Sequence, residues 1–287
     1  MIIKKAVLPV AGLGTRFLPA SKATPKEMLP IIDKPLVQYA VEEAIKEGIN
    51  EIIFITSNEK NSIEKHFKKN KKIESRLIKS GKNNFIEKLN PKKFEKVTFK
   101  YVNQKSQKGL GDAVLQAEKY IKNESFVVLL PDDLFISKKT CLNQIISLNK
   151  KTNSTVIGLN KVDKANIHKY GVIKPGIVSN KIIQISDMVE KPLAKNAPSD
   201  IAILGRYVFT PSIFKYLKKV KCDSSNEIQL TNAIKLQIED EEVFGCIYDG
   251  QKFDCGSKEG FVHATIALAL KDKAINKKIK EIIKDII

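Results

Sequence analysis

The sequence predicts an α/β fold: a mixed, mostly parallel central sheet flanked by helices, with a small β subregion added to the sheet. In the first half of the chain, apolar runs of strand length alternate with helix-length segments, and the first such run is Lys5–Val10. Another run, Phe126–Leu130, is apolar throughout, which is typical of a strand buried on both faces of a parallel sheet. Short strand candidates dominate the second half, as expected of the added subregion. In folds of this class, ligands bind beyond the carboxyl ends of the strands.

The elements of the first half follow from these patterns and from the signals at their ends. Pro35 can open a helix that extends through about Glu47 and is stopped by Gly48. The lysine-rich stretch that extends to about Lys96 is predicted to be helical or loose. The other strands predicted here are 51–56, 97–102 and 126–130, and the other helices are 62–72 and a segment that follows 104–113 and extends through residue 121.

The second half is more mixed, and its elements are shorter. No linker rich in Pro, Gly or Ser separates it from the first half, so the sequence predicts one continuous domain over residues 1–287. The predicted strands are 154–159, 170–174, 181–188 and 201–209, and the predicted helices are 211–217, 227–238 and a single helix over 261–287.

Length and composition limit the class of protein. A chain of 287 residues that is 43% hydrophobic can bury a substantial core. No run approaches the roughly 20 apolar residues of a membrane span, and the N-terminus shows no apolar signal segment, so we expect a cytoplasmic protein without a membrane partner. The widely spaced cysteines form neither a zinc pattern nor a redox pair, and the scattered histidines show no metal-ligand spacing.

The net charge of +18 raises nucleic-acid binding as a hypothesis, because clustered Lys and Arg neutralise phosphates. However, 47 of the 50 basic residues are lysines spread over the whole chain, and they accompany many Ile and Asn residues, a bias expected of an AT-rich genome. Most of the charge is therefore interpreted as solvated surface, and a nonenzymatic nucleic-acid-binding protein is a distant alternative. Two of the three arginines, Arg16 and Arg206, lie in motifs, which suggests that a planar fork is needed there.

The first motif is a glycine loop, Ala11-Gly12-Leu13-Gly14-Thr15-Arg16, directly after the first strand. Glycines let the backbone approach a ligand and direct its N–H groups at anionic oxygens, while Arg16 and Lys26 add full positive charge. Neither the dinucleotide fingerprint nor the P-loop spacing fits this stretch. It predicts a phosphate-binding loop, with an ordinary loop beside a strand as the alternative.

Two further candidates lie at predicted strand ends, and a third, Asp254, precedes the helix predicted from Phe261. Asp132 follows the buried strand, and a carboxylate there is a natural Mg²⁺ ligand, although a helix cap or turn aspartate would fit the same pattern. Asp254 is the second candidate Mg²⁺ ligand, and from the sequence alone it is equally plausible as a turn residue. Glu190 and Lys191 are adjacent, so they could share a site only where a strand ends or bends, as Pro192 suggests; such a tripeptide is usually solvated.

Taken together, these motifs resemble the signature of the bacterial UTP:glucose-1-phosphate uridylyltransferases, within the wider sugar-phosphate nucleotidyltransferase family. The resemblance extends from Lys5 to about Gly260 and implies a Rossmann-like, nucleotide-diphospho-sugar transferase fold. It also implies a nucleotide-binding half over about 1–150, a sugar-phosphate-binding half over about 151–260 and C-terminal helices over about 261–287. The matching stretches are Val10–Arg16, Pro25-Lys26-Glu27-Met28-Leu29-Pro30, Tyr170-Gly171-Val172, Val189-Glu190-Lys191-Pro192, Leu204-Gly205-Arg206-Tyr207 and the aspartate motifs at 132 and 254.

The resemblance implies an activity: UTP and glucose 1-phosphate react to give UDP-glucose and pyrophosphate in the presence of Mg²⁺. A sister enzyme that makes a dTDP-, CDP- or ADP-sugar is the alternative, and relatives usually assemble as homodimers or homotetramers. The implied roles are catalysis for Arg16, Lys26 and Lys191, nucleotide binding for Ala11, Gly12, Leu13, Gly14, Glu27, Gln104, Gly109 and Asp133, sugar-phosphate binding for Gly171, Glu190 and Lys191, and metal binding for Asp132 and Asp254.

Overall fold

The computed structural model describes residues 2–57 and 60–286. Its strands are β1 Lys5–Pro9, β2 Pro30–Ile31, β3 Lys34–Pro35, β4 Glu51–Thr56, β5 Thr98–Asn103, β6 Phe126–Leu129, β7 Asp133–Ile136, β8 Thr155–Lys161, β9 Gly171–Ser179, β10 Ile182–Glu190, β11 Ile201–Phe209, β12 Val243–Ile247 and β13 Gln251–Asp254. Its α-helices are α1 Leu36–Lys46, α2 Asn61–Phe67, α3 Lys71–Lys79, α4 Ile86–Leu89, α5 Gly109–Leu115, α6 Glu118–Ile121, α7 Cys141–Thr152, α8 Ile213–Leu217, α9 Leu230–Asp240, α10 Lys258–Lys271 and α11 Asn276–Ile286.

A nine-stranded mixed sheet, in the order β5-β4-β1-β6-β11-β8-β12-β10-β9, forms the centre of the fold. Neighbours in the β5-β4-β1-β6 half are parallel, as are β8 and β12, whereas β11 and β10 pair antiparallel with their neighbours. Small two-stranded sheets, β13-β7 and β2-β3, are added to this core. The predicted fold class is confirmed, and strands from both halves of the chain share one sheet.

Apolar side chains on both faces of the sheet explain why its central strands are apolar throughout. Successive residues of a strand point to opposite faces. In β1, Val7 packs into a core with residues of α5, α8 and α9, whereas its neighbour Leu8 packs into a second core with residues of α1 and α7. Both side chains are fully buried, as the parallel-sheet interpretation requires.

Helix boundaries differ from prediction in three places. The helix predicted over 62–72 ends at Phe67 because Lys68 is extended, and the side chain of Asn70 then accepts the N–H of Ile73 and caps a new helix. The helix predicted to reach residue 121 is divided into α5 and α6.

The third difference lies at the C-terminal end of the chain. The single helix predicted over 261–287 is interrupted at Asp272, whose side chain accepts the N–H of Ala274 in a turn that starts α11, and Ile287 lies outside the described residues. Within 2–57 and 60–286, no helix combines the length and the apolar composition that a membrane crossing requires.

Strand ends bring the predicted motifs to one side of the sheet. The glycine loop follows β1, Pro131-Asp132 follows β6, and Glu190 is the last residue of β10. The prediction missed α7 and the short strands β7, β12 and β13. The β7–β13 pair matters for the site, because its register places Asp254 opposite Asp133.

Candidate active site

A cleft of about 410 Å³ lies where β1 and β6 end. It contains most of the residues predicted to bind the nucleotide and the metal, which are contributed by segments far apart in sequence. Its lining includes Ala11, Gly12, Leu13, Gly14, Lys26, Glu27, Gln104, Gly109 and Asp132, together with Gln107 and Glu227, which the sequence analysis did not single out.

The glycine loop has the features of an anion cradle. A Cβ on Gly12 would meet nothing within 4 Å, so the backbone is open to the cleft there, and Gly14 adopts a left-handed φ of 68°. Among the residues that the structure describes, no protein acceptor is paired with the N–H groups of residues 11–14. A run of unpaired backbone donors beside a cleft is suited to binding phosphate oxygens.

An ion pair joins the lysine of the second motif to the acidic corner. The Nζ of Lys26 lies 2.6 Å from Oδ2 of Asp132. Burial opposes the charged form of both groups. The carboxylates of Asp132 and Glu27 nevertheless raise the pKa of Lys26 above the ordinary value for lysine. The Lys26 ammonium in turn lowers the pKa of Asp132 below the ordinary value for aspartate. Both groups are therefore charged at neutral pH. Arg16, at the rim, donates weakly to the carbonyl of Gly256 at 3.4 Å.

The two candidate metal ligands meet at Gly256. Asp132 Oδ2 and Asp254 Oδ1 are each 3.1 Å from the point that a Cβ on Gly256 would occupy, so the two oxygens lie within twice that distance of each other. The N–H of Cys255 donates to the carbonyl of Asp132 at 2.8 Å and ties the two segments together.

This arrangement fits Mg²⁺, which takes one or two carboxylates plus substrate phosphates. A larger protein cage is not required: within 2–57 and 60–286, no group of three or more His, Cys, Asp or Glu residues is placed to hold a metal. The absence of a side chain at Gly256 leaves the space between the two carboxylates open.

Asp133 lies beneath the cleft instead of lining it. Its Oδ2 accepts the N–H of Gly205 at 3.0 Å, and its Oδ1 lies 2.9 Å from Nζ of Lys252. Burial raises the pKa of Asp133, against the lowering effect of Lys252. These contacts support the strand end that carries Asp132, while a contact between Asp133 and a nucleotide stays a prediction.

Arg206 supports the same corner from inside the protein. Its side chain is 1% exposed, and its guanidinium donates four hydrogen bonds within the protein. It pairs with the carboxylate of Glu43 at 3.0 Å and donates to the carbonyls of Leu130 and Asp133, which lie on either side of Pro131-Asp132. A planar fork is needed here, as the sequence suggested, because lysine offers only three donors.

Arg206→Met should lower the free energy of unfolding by about 3 to 5 kcal/mol, because it leaves Glu43 as a buried charge without its partner. Urea unfolding followed by circular dichroism measures this change. Arg76→Met, at an exposed position of α3, is the matched control and should change stability by less than about 0.5 kcal/mol. Equal stability of the two variants would contradict the supporting role of Arg206.

The sugar-phosphate candidates lie where β9 and β10 pair. Glu190 is opposite Gly171 in the register, and Lys191 adopts a left-handed φ of 44°. This turn explains how adjacent residues can share a site: Nζ of Lys191 lies 3.5 Å from Oε1 of Glu190. Thr231 donates to Oε2 of Glu190 at 2.6 Å, and a Cβ on Gly171 would lie 2.9 Å from Cδ1 of Ile203.

Tyr170 connects this pair to the acidic corner. Its hydroxyl lies 3.5 Å from Oδ2 of Asp254, and it is adjacent in sequence to Gly171. Lys252 stacks on the Tyr170 ring at 4.7 Å. Lys252 could have been noticed from sequence, because it lies two residues before Asp254 on one strand and therefore faces the same side.

Comparison with known proteins identifies the same family that the motifs resemble. The chain matches the family described as Nucleotidyl transferase over residues 5–270. It is 45% identical over 284 residues to a UTP–glucose-1-phosphate uridylyltransferase of Staphylococcus epidermidis, covering 99% of this chain and 98% of that protein.

Solved structures of UDP-glucose pyrophosphorylases are also similar to this chain in fold. A UDP-glucose pyrophosphorylase complexed with UDP-glucose superposes with a TM-score of 0.84 at 42% identity, covering 94% of this chain and 100% of that one. A UTP-bound UGPase from Acinetobacter baumannii superposes with a TM-score of 0.90 at 36% identity, covering 98% of each chain.

Proposed function

The chain belongs to the nucleotidyl transferase family, and we propose on this basis that it makes UDP-glucose and pyrophosphate from UTP and glucose 1-phosphate. The observation that carries the proposal is the cleft at the ends of β1 and β6. There, backbone N–H groups that have no acceptor among the described residues, the Lys26 ammonium and two converging carboxylates surround one space. Relatives at this level of identity bear the same activity in their names, and solved relatives bind UTP and UDP-glucose.

The proposed chemistry is an in-line displacement at phosphorus. A phosphate oxygen of glucose 1-phosphate forms a bond to the α-phosphorus of UTP, and the bond from that phosphorus to the bridging oxygen breaks as pyrophosphate leaves. The sugar phosphate is already ionised at neutral pH, so no general base is needed. Catalysis then depends on positioning and on balancing negative charge.

The placement of the side chains supports a division of roles. The amides of the glycine loop, Arg16 and Lys26 would hold the triphosphate and the departing pyrophosphate. Lys191 would pair with the incoming phosphate, and Glu190 would accept hydrogen bonds from the sugar hydroxyls beside Gly171. The uracil is assigned to Gln104 and Gly109, with Glu27 and Asp133 as further nucleotide neighbours. A Cβ on Gly109 would lie 2.9 Å from Cβ of Glu227, so glycine at this position lets the segment pack closely against residues 227 and 228.

Asp132 and Asp254 would hold Mg²⁺ between them. When bound, the ion would supply Lewis-acid charge neutralisation to phosphate oxygens. In the protein by itself, the Lys26 ammonium already balances the charge of Asp132. Triphosphate oxygens would offer Lys26 a second anionic partner in the same cleft.

A pyrophosphate-release assay over several substrate pairs tests the proposal. UTP with glucose 1-phosphate should give the highest kcat/KM, and EDTA should stop turnover. Reactions with UTP alone and with glucose 1-phosphate alone are the controls. A higher kcat/KM for dTTP, CTP or ATP would identify a sister enzyme, and a salt-dependent shift of DNA without any pyrophosphate release would contradict the enzyme assignment.

We also propose how the chain is organised. Residues about 1–150 form the nucleotide-binding half, about 151–260 form the sugar-phosphate-binding half, and about 261–287 form C-terminal helices. We expect the enzyme in the cytoplasm as a homodimer or homotetramer. Light scattering coupled to size-exclusion chromatography measures the assembly directly.

A further inference from the structure

A buried lysine outside the predicted motifs contacts the glycine loop. Lys60 lies at the start of α2 and is 9% exposed. Its Nζ donates to the carbonyl of Val10 at 2.5 Å, to the carbonyl of Gly12 at 2.6 Å and to Oε2 of Glu27 at 2.9 Å. These acceptors use all three donors of an ammonium group. The side chain therefore joins the glycine loop to the turn that carries Lys26 and Glu27.

The direction of the two carbonyls determines where the loop's donors point. In a trans peptide, the C=O of one residue and the N–H of the next point in opposite directions. The carbonyls of Val10 and Gly12 point at Lys60, so the N–H groups of Ala11 and Leu13 point away from it. These N–H groups are among those without a protein acceptor in the described part of the chain. Lys60 thus holds the loop in the conformation that presents its donors.

Position relative to the cleft separates this role from that of Lys26. The ammonium of Lys60 is paired with Glu27, which is 2% exposed, and Lys60 itself does not line the cleft. Lys26 is also paired with a carboxylate, that of Asp132, but it lines the cleft, where a ligand can reach it. Lys60 faces the opposite side of the loop, and its effect is one of geometry.

We propose that Lys60 is a positioning residue that, together with Glu27, fixes the glycine loop for binding a nucleoside triphosphate. This inference rests on the proposed function for the identity of the ligand. The contacts by which Lys60 orders the loop do not depend on which ligand binds. A loop held in its binding conformation before the ligand arrives has less ordering entropy to lose on binding. UTP affinity should therefore depend on Lys60 more strongly than sugar-phosphate affinity does.

The test compares Lys60→Met with the double variant Lys60→Met/Glu27→Gln. Lys60→Met keeps the length of the side chain but removes its donors, and the second substitution removes the charge left on Glu27. We expect the Kd for UTP, measured by calorimetry, to rise about ten- to fiftyfold in both variants. The KM for glucose 1-phosphate should stay within about twofold. The double variant should recover thermal stability lost in the single one without recovering UTP affinity.

Hydrogen exchange gives a readout that needs no activity. The peptide over residues 10–17 should exchange faster in both variants of the unliganded protein, while peptides from the sheet remain unchanged. Lys65→Met, an exposed position on the same helix, is the matched control and should change neither exchange nor UTP affinity. Wild-type exchange of the loop, or wild-type UTP affinity in the double variant, would overturn the proposal. Failure of the wild-type protein to release pyrophosphate would overturn the proposed function alone.

Discussion

Lys26→Met is expected to lower kcat for pyrophosphate release about a hundred- to a thousandfold. The ammonium lies in the cleft beside Asp132 and within reach of the space in front of the glycine loop. A cation about 4 Å from a phosphate oxygen contributes roughly 4 kcal/mol at an effective dielectric constant near 20. Negative charge grows on the departing pyrophosphate, so much of this energy is available only in the transition state, where its loss lowers kcat.

Steady-state kinetics with UTP and glucose 1-phosphate measure this loss, and KM for glucose 1-phosphate should change little. Lys22→Met is the matched control, because Lys22 is an exposed lysine in the turn just before Lys26 and should retain wild-type rates. Removal of Lys26 also leaves Asp132 without its partner, so thermal unfolding must be recorded for both variants. A folded Lys26→Met protein with more than about a tenth of the wild-type kcat would contradict the assignment.

Local signals in the sequence were sufficient to predict the main secondary-structure elements and the glycine loop that forms one wall of the cleft. The first strand, the helix that begins after Pro35 and the buried strand before Asp132 are confirmed. These elements depend on short-range patterns: apolar runs, proline at a helix start and glycine after a helix end. The position of the glycine loop at the cleft was also predictable, because glycines directly after a strand leave the backbone accessible to a ligand.

Long-range pairing explains what the sequence could not predict. Whether Asp254 is a turn residue or a metal ligand depends on the pairing of β13 with β7, and β13 is only four residues long. The contacts of Lys60 could not be predicted from the sequence for a different reason. It is one of 47 lysines, and most of its partners are backbone carbonyls, which no side-chain pattern reveals. The helix ends at Lys68 and Asp272 were missed because the side chains of Asn70 and Asp272 bond to nearby backbone N–H groups, and the chain starts a new helix after each of them.

Asp254→Asn should reduce kcat about a thousandfold and raise the Mg²⁺ concentration needed for half-maximal rate at least tenfold. The substitution nearly preserves shape: an amide oxygen can still accept the N–H of Gly256, which Asp254 Oδ1 accepts at 3.0 Å. What disappears is one of the two negative charges that converge at Gly256. Any loss of metal affinity therefore reports on charge, because the fold of the Asp254–Gly256 turn is retained.

Two measurements separate this effect from a general loss of structure. Titration of Mn²⁺ followed by electron paramagnetic resonance, in the presence of UTP, reports metal binding without turnover and should show weaker binding in Asp254→Asn. Asp249→Asn removes a carboxylate five residues earlier, in an exposed pair with Lys181, and should leave both metal binding and rate unchanged. If Asp254→Asn binds Mn²⁺ as the wild type does and keeps its rate, the ion is held elsewhere, because the second carboxylate at Gly256 would then contribute nothing to holding it.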